Sequence, residues 1–456
     1  MGNITEPCSL SVDNRDMKTV LAAMMGTGIS LLWMSGAAVA ADATTGARGT
    51  REVADVIATT TAAPTEAPTG FDGLTNGLTD DATFGQDKAA FDAPEDPDEG
   101  LGPLYNAQAC RECHQSPISG AASQITELRV GHRDSTGAFV DPDLPMGDGT
   151  TVVHARSLVN DRSICPSSEF PDLTGQERAP ATENVRTLRA SLNTLGDGFV
   201  EAIPSSALRA AADRQCRQTR GEICGKVITV PVLEAGGTKR VARFGWKNQH
   251  ASLLSFSADA YLNEMGITSV LLPTEVATLC DAIQDPEDTI DANGLGDVDH
   301  FARFMRASKA PARYASVAAS ADGIAGSALF DQIGCNTCHT RTFVTAPPGS
   351  VLNGGTLVVS NAVGNKIIHP FSDFLLHDIG TGDGIVQNGG PATANMLRTP
   401  PLWGVHVRGR LMHDLTSLNF DDAIARHRGE ARSVTQRYRA LSPDDQNRLK
   451  VFLSSL

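Results

Sequence analysis

The chain is short of aromatic side chains. Three Trp, four Tyr and 16 Phe amount to 5% of 456 residues, which leaves few large rings to fill an interior. The 43 glycines favour loops and short elements. Bases are scarce too. Thirty-eight Lys and Arg face 53 Asp and Glu, a net charge of −15. That balance excludes nucleic acid and anionic membrane as general partners. After the first 40 residues there is no long apolar run, so no stable membrane span is expected once the N-terminus is cleaved.

What is present is a repeated motif. Cys110-Arg-Glu-Cys113-His114 and Cys335-Asn-Thr-Cys338-His339 both read C-x-x-C-H, the attachment pattern of a c-type haem. Two thiols spaced this way reach the two vinyl groups of one porphyrin, and the adjacent imidazole meets the iron. A zinc site would bring two such pairs together as four thiolates. Here each pair carries its own His, and the first Cys of each stand 225 positions apart. The reading is two covalently bound c-type haems, on Cys110, Cys113 and His114 and on Cys335, Cys338 and His339.

Such haems are fitted outside the cytoplasm, and the N-terminus agrees. Met17-Lys18, an apolar run from Thr19 to Trp33 and Ala38-Val39-Ala40 form a signal peptide with cleavage before Ala41. The expected location is periplasmic, and residues 1–16 read as an upstream segment. Export permits disulfides. Apart from Cys8 and the haem thiols, Cys165, Cys216, Cys224 and Cys280 remain. Cys216 and Cys224 close a short loop and are the favoured pair, with Cys165 and Cys280 by elimination. Buried free thiols are the alternative.

The fold is read as mainly α, with two c-type cytochrome-like domains, long loops and a few short strands. The divisions are 1–40 upstream segment and signal peptide, 41–99 flexible acidic lead-in, 100–225 first haem domain, 226–315 middle segment and 316–456 second cytochrome domain. Residues 80–99 hold eight acids and one base and read as solvated. Residues 182–195 show helical spacing at Val185, Leu188, Leu192 and Leu195. Helices are also expected after Ser205, from Ser252 to Met265, and from Asp297 with Val298, Phe301, Phe304 and Met305 on one face. Asp322 is the candidate cap for a helix with Ile324, Ala328, Leu329 and Ile333 on its stripe. Ser442 caps the last helix, with Pro443 at its first position.

The text around the motifs resembles the di-haem oxidoreductase family, relatives of bacterial di-haem cytochrome c peroxidases. The likeness runs from about residue 98 to the C-terminus. It is carried by Gly102–His114, Arg243–Lys247, Phe301–Arg313, Asp373–Gly380, Arg398–Gly404, Met412–Asp414 and Ala423–Glu430 among others. The chain departs from the family before Arg243, where the Cys216–Cys224 segment stands. The resemblance implies one haem open to peroxide and a second, six-coordinate haem that stores or passes an electron. It implies His427 as the second haem's distal ligand, which would make that haem bis-His. For the first iron it implies a loop histidine, and His132 is the candidate, with His154 in competition. Glu201 matches the position of a distal acid that moves a proton between peroxide oxygens. Calcium occurs between the domains of related peroxidases, and Asp291–Asp297 is the candidate loop. His377 and His413 each precede an aspartate and are read as Asp-held; Trp246 and Trp403 are read as core residues, with a place between the haems as the alternative.

The function expected is an exported, peroxidase-like di-haem oxidoreductase. Hydrogen peroxide or a related small oxidant is its substrate, and a small donor such as a cytochrome c or cupredoxin supplies electrons. The alternatives are a two-haem electron carrier without peroxidase activity, or an oxidant of a protein or thiol substrate.

Overall fold

The computed structural model describes residues 51–456 except 167–170, 173 and 282. The signal peptide and Cys8 lie outside the described residues. Helix accounts for 30% of the described residues and strand for 17%. The helices expected in the second half are present. Between residues 100 and 245 small sheets take a larger share than a mainly α reading allows.

The lead-in is partly built into the body. Thr65–Glu66 pairs in parallel with Lys366–Ile367, and Asp55 holds the buried Arg240 at 2.9 Å. Residues 80–99, expected as solvated, begin with a packed helix, α1 (Asp81–Asp92), capped by the Asp80 carboxylate on the Thr83 N–H. Its acidic composition hid Phe84 and Phe91, which are buried. α2 (Cys110–Cys113) follows and is one short turn.

A sheet comes next, centred on strand Thr126–Arg133. Val185–Ala190 pairs with it antiparallel over six residues, Thr126 facing Ala190 and Gly131 facing Val185. The helix expected over 182–195 is therefore absent, and Val185–Ala190 within it is a strand. Its i, i+3 spacing had no matching burial, since Leu188 is 43% exposed, and a full ladder outweighs so weak a period.

The main core gathers α3 (Asp197–Glu201), α4 (Ser205–Gln218), α5 (Leu253–Ala260) and α6 (Asp297–Ala307). Phe301, Phe304 and Met305 of α6 are buried, and Phe304 meets Phe84 and Phe91 at centroid distances of 5.3 and 4.8 Å. The α1–α6 contact also buries Asp87, which takes two hydrogen bonds from Arg303 at 2.7 Å and one contact from His300 at 2.8 Å. α3 crosses α6 closely because position 198 is glycine. A Cβ there would sit 2.3 Å from the Arg306 carbonyl oxygen. The cap of α4 is not a serine: the Asp55 carboxylate accepts from the Ser205 N–H at 2.7 Å. α5 starts on Ser252 and runs into a π turn, Tyr261–Met265, that stops at left-handed Gly266.

The last third packs α7 (Ala315–Ala318), α8 (Ala321–Ile333), α9 (Phe420–Ala425), α10 (Arg432–Arg439) and α11 (Pro443–Leu453) around a second core of Phe330, Phe371, Leu449, Phe452 and Leu456. Ser320, not Asp322, caps α8, accepting from the Gly323 N–H at 3.0 Å. The buried face of α8 is Gly323, Gly326, Phe330 and Ile333, while Ile324 is 62% exposed. Gly326 lets α11 approach, because a Cβ there would meet the Arg448 carbonyl oxygen at 1.9 Å. The expected Ser442 cap and Pro443 start of α11 are both found. Cys216–Cys224 and Cys165–Cys280 are disulfides, with Cα separations of 4.5 and 6.1 Å.

Candidate functional site: two cavities with a shared wall

Each C-x-x-C-H motif opens onto its own cavity. The first, of about 270 Å³, is lined by Cys110, Cys113 and His114. Its walls come from far along the chain: Glu127 and Arg129 from the central strand, Tyr261, Glu264 and Met265 from the π turn, Met305 from α6, and Arg398. The second, of about 190 Å³, is lined by Cys335, Cys338, His339, His377 and His427. Trp246 and Arg398 line both. All four motif cysteines are unpaired. Burial raises their thiols, Cys113 and Cys335 to about 12, so burial favours the protonated thiol over the thiolate at both pairs.

The second cavity fits an iron between two imidazoles. Two metal–nitrogen bonds of about 2.0 Å, plus roughly 1.2 Å from each nitrogen to its ring centre, separate the rings by roughly 6.4 Å. The centroids of His339 and His427 are 6.4 Å apart. Each Nδ1 faces a backbone carbonyl oxygen, Phe371 at 2.9 Å for His339 and Ala423 at 2.8 Å for His427. Donation there fixes the tautomer that leaves Nε2 free to ligate. Burial lowers both histidines, His339 to about 4, so both are neutral, as ligation requires.

The first cavity holds one such imidazole. Burial takes His114 down to about 4, and Phe91 stands edge-on to it at 6.2 Å. His132, the expected partner, is not in this cavity. Strand alternation turns Glu127 and Arg129 inward and His132 outward, where its Nδ1 meets Glu183 at 3.0 Å. His154 is on the surface, paired with Asp143 at 2.7 Å.

Glu201 is not in either cavity. It is fully buried and accepts from Arg306 at 2.7 and 3.0 Å, from the Leu253 N–H at 2.8 Å and from Asn353 Nδ2 at 2.9 Å. Burial alone would raise it, but Arg306 holds it below the usual carboxylate range. A carboxylate with four donors ties α3 to α5 and α6 and has no proton to lend. The acids that do line the first cavity are Glu127 and Glu264. Burial would raise Glu127, yet Arg129, at 2.6 and 3.1 Å, holds it down at about 2. Burial and the Glu127 charge push Glu264 well above the usual range, and Asn106 Nδ2 donates to it at 2.8 Å. The cavity thus holds one ionised and one protonated carboxyl. No local motif marks this pair, because a π turn and a distant strand bring it together.

His377 is held by carboxylates, though not by the one beside it in sequence. Its Nε2 faces Asp373 and its Nδ1 faces Glu430, both at 2.9 Å. Asp414, next to His413, pairs instead with Arg426 at 2.7 Å. Trp403 is a core residue, whereas Trp246 occupies the shared wall. The Asp291–Asp297 loop is closed on itself: Asp291 accepts from the Asn293 and Leu295 N–H groups at 2.7 and 2.9 Å. A different acidic group, Glu275, Asp285 and Glu287, brings carboxylate oxygens within 4.8 Å of one another.

Burial and then the Glu287 and Asp285 charges raise Glu275 to about 9, and burial raises Glu287 to about 7. Held above its unfolded value, each stabilises the fold fully below about pH 4.5 and loses that contribution as pH rises through the folded value. Thermal melts between pH 5 and 9 are therefore expected to show a falling Tm, and Glu275→Gln to flatten the fall. An unchanged slope in that variant would remove Glu275 as its source.

Residues 181–456 match the family described as "Di-haem oxidoreductase, putative peroxidase". The match takes in the second motif and begins downstream of the first. No curated protein matches. Two solved structures are similar at low identity. One is a hydrazine synthase of Kuenenia stuttgartiensis pressurized with xenon, at 13% identity and a TM-score of 0.37, covering 88% of this chain and 99% of that one. The other is a MauG-like protein associated with microbial copper homeostasis, at 13% and 0.38, covering 87% and 94%. On the extent of the family match, this chain belongs to the di-haem oxidoreductase family.

Proposed function

We propose that the chain is an exported enzyme with two c-type haems, each bonded to its Cys pair, and that it reduces peroxide at the first haem with electrons passed through the second. Bound haem supplies the one-electron chemistry and the open iron position. The observation that carries the reading is the difference between the cavities. His339 and His427 stand on both sides of the second, whereas the first offers His114 together with Glu127, Glu264 and Arg129. In the first, Glu264 holds a proton and Glu127 is placed to receive one, the exchange that O–O cleavage requires. Arg129 keeps Glu127 ionised between turnovers. Trp246 and Arg398 fill the wall through which electrons would cross. No helix among the described residues is long and apolar enough to cross a membrane.

A second reading rests on Met265 and Met305, which also line the first cavity. A thioether on that iron would close both haems and leave an electron carrier. Oxidation of a protein or thiol substrate is the third reading. The decisive experiment takes the exported full-length protein. Intact mass after acid–acetone washing is expected to retain two haem additions, with an N-terminus at Ala41. Carbon monoxide is expected to bind one reduced haem, and stopped-flow mixing with peroxide to oxidise both. A washed chain without pigment sinks the c-type assignment, and failure of both carbon monoxide and peroxide to react leaves the carrier.

A further inference from the structure

The surface over the second cavity has the wrong sign for this protein. The chain carries −15 overall, yet residues 209–226 hold five bases and two acids, and residues 426–439 hold five bases and one acid. Arg214, Arg217 and Arg220 on α4 and its loop are exposed, as are Arg428, Arg432, Arg437 and Arg439 around α10. None of the seven forms an ion pair among the described residues. Scattered surface bases would usually be paired or balanced in so acidic a chain.

The two segments are one face. The Cys224 N–H donates to Glu430 at 3.1 Å, joining the disulfide loop to the turn before α10. Both touch the haem-binding segment directly. Gln215 Nε2 donates to the Thr337 carbonyl oxygen at 2.7 Å, and Arg437 Nε to that of Ile333 at 2.8 Å. Ile223, in the loop closed by Cys216–Cys224, and Val434, on α10, line the second cavity itself. The unpaired positive charge therefore stands beside the wall of the second cavity, next to the segment that would carry its haem. Its site favours a redox protein over a lipid surface, because a membrane contact has no need to coincide with the wall of the second cavity.

We infer that this face docks an acidic redox protein, the donor that feeds the second haem. The inference rests on the di-haem reading above. Opposite charge steers the encounter, raises the association rate at low salt and leaves the chemistry at the first cavity untouched.

The test uses the haem-loaded full-length protein and an acidic cupredoxin as donor, followed by stopped flow at the second haem from low to high ionic strength. The comparison is a variant carrying Arg214→Glu, Arg217→Glu, Arg432→Glu and Arg439→Glu, all at exposed positions. Neutral hydroquinone serves as a charge-blind reductant for both proteins. The expected result is a second-order rate at least tenfold lower in the variant, a lost salt dependence, and an unchanged hydroquinone rate. A set of Gln replacements at the same four positions is expected to fall between the two. Equal cupredoxin rates in wild type and variant, or a basic cytochrome c that outpaces the cupredoxin at low salt, would overturn the inference while hydroquinone reduction upholds the di-haem reading. Loss of binding to phosphatidylserine vesicles with an unchanged cupredoxin rate would make the face a membrane contact and also overturn it. A protein that takes up no electrons from hydroquinone fails both readings together.

Discussion

Replacing His427 by methionine is expected to raise the midpoint potential of one haem by on the order of 0.1 V, within the roughly 0.8 V that axial ligands span. The other haem should move little. His339 and His427 face each other at 6.4 Å, each anchored by a backbone carbonyl through Nδ1. A thioether is a weaker donor than imidazole toward ferric iron, so the ferrous state gains. Methionine at 427 loses the Ala423 anchor but follows the same helical face, since Ala423 and Ile424 line the cavity beside it. His427→Gly should instead open the position, giving a high-spin ferric spectrum and a second carbon monoxide site. Potentiometric titration of both variants decides the matter. A pair of unaltered potentials, or low-spin spectra in the glycine variant, would place the sixth ligand elsewhere.

How much of this was readable beforehand depends on how local the signal is. The motifs bring thiols and imidazole together within five residues, so spacing alone identifies them. Ser442 and Pro443, and the buried face of α6, are likewise local and were found as expected. Failures occurred where a distant partner decides the outcome. The 182–195 stretch looked helical until Thr126–Arg133 supplied a ladder. Asp87 looked solvated until Arg303 and His300 of α6 reached it. The family resemblance offers His132 and Glu201 by their positions in the chain, which say nothing of which way a side chain turns. Strand parity sends His132 outward, and Arg306 claims Glu201. His377 meets Asp373 and Glu430 rather than the adjacent Asp378, partners that lie four and 53 positions away in the chain.

The same distinction separates the two acids that matter most. Glu264→Gln is expected to lower peroxide turnover by about 10²- to 10⁴-fold, the usual worth of a positioned proton donor. Haem content and optical spectra should stay as in the wild type. The amide keeps an acceptor for Asn106 and a donor toward Glu127, so the cavity wall holds its shape and only the transferable proton is gone. Glu127→Gln should give a comparable loss and would also free Arg129, whose only carboxylate partner within salt-bridge distance among the described residues is Glu127. Glu201→Gln should behave in the opposite way. It strands the Arg306 charge in the core, a break of the kind that costs about 3–5 kcal/mol, so yield and Tm fall. Turnover per haem in the surviving folded protein should remain near normal. Assays normalised to haem, run beside thermal melts for all three variants, separate the roles. Full turnover in Glu264→Gln, or a Glu201→Gln protein that melts normally but is inactive, would return the proton-moving role to Glu201 and require the first haem's reacting side to lie nearer α3 than its cavity does.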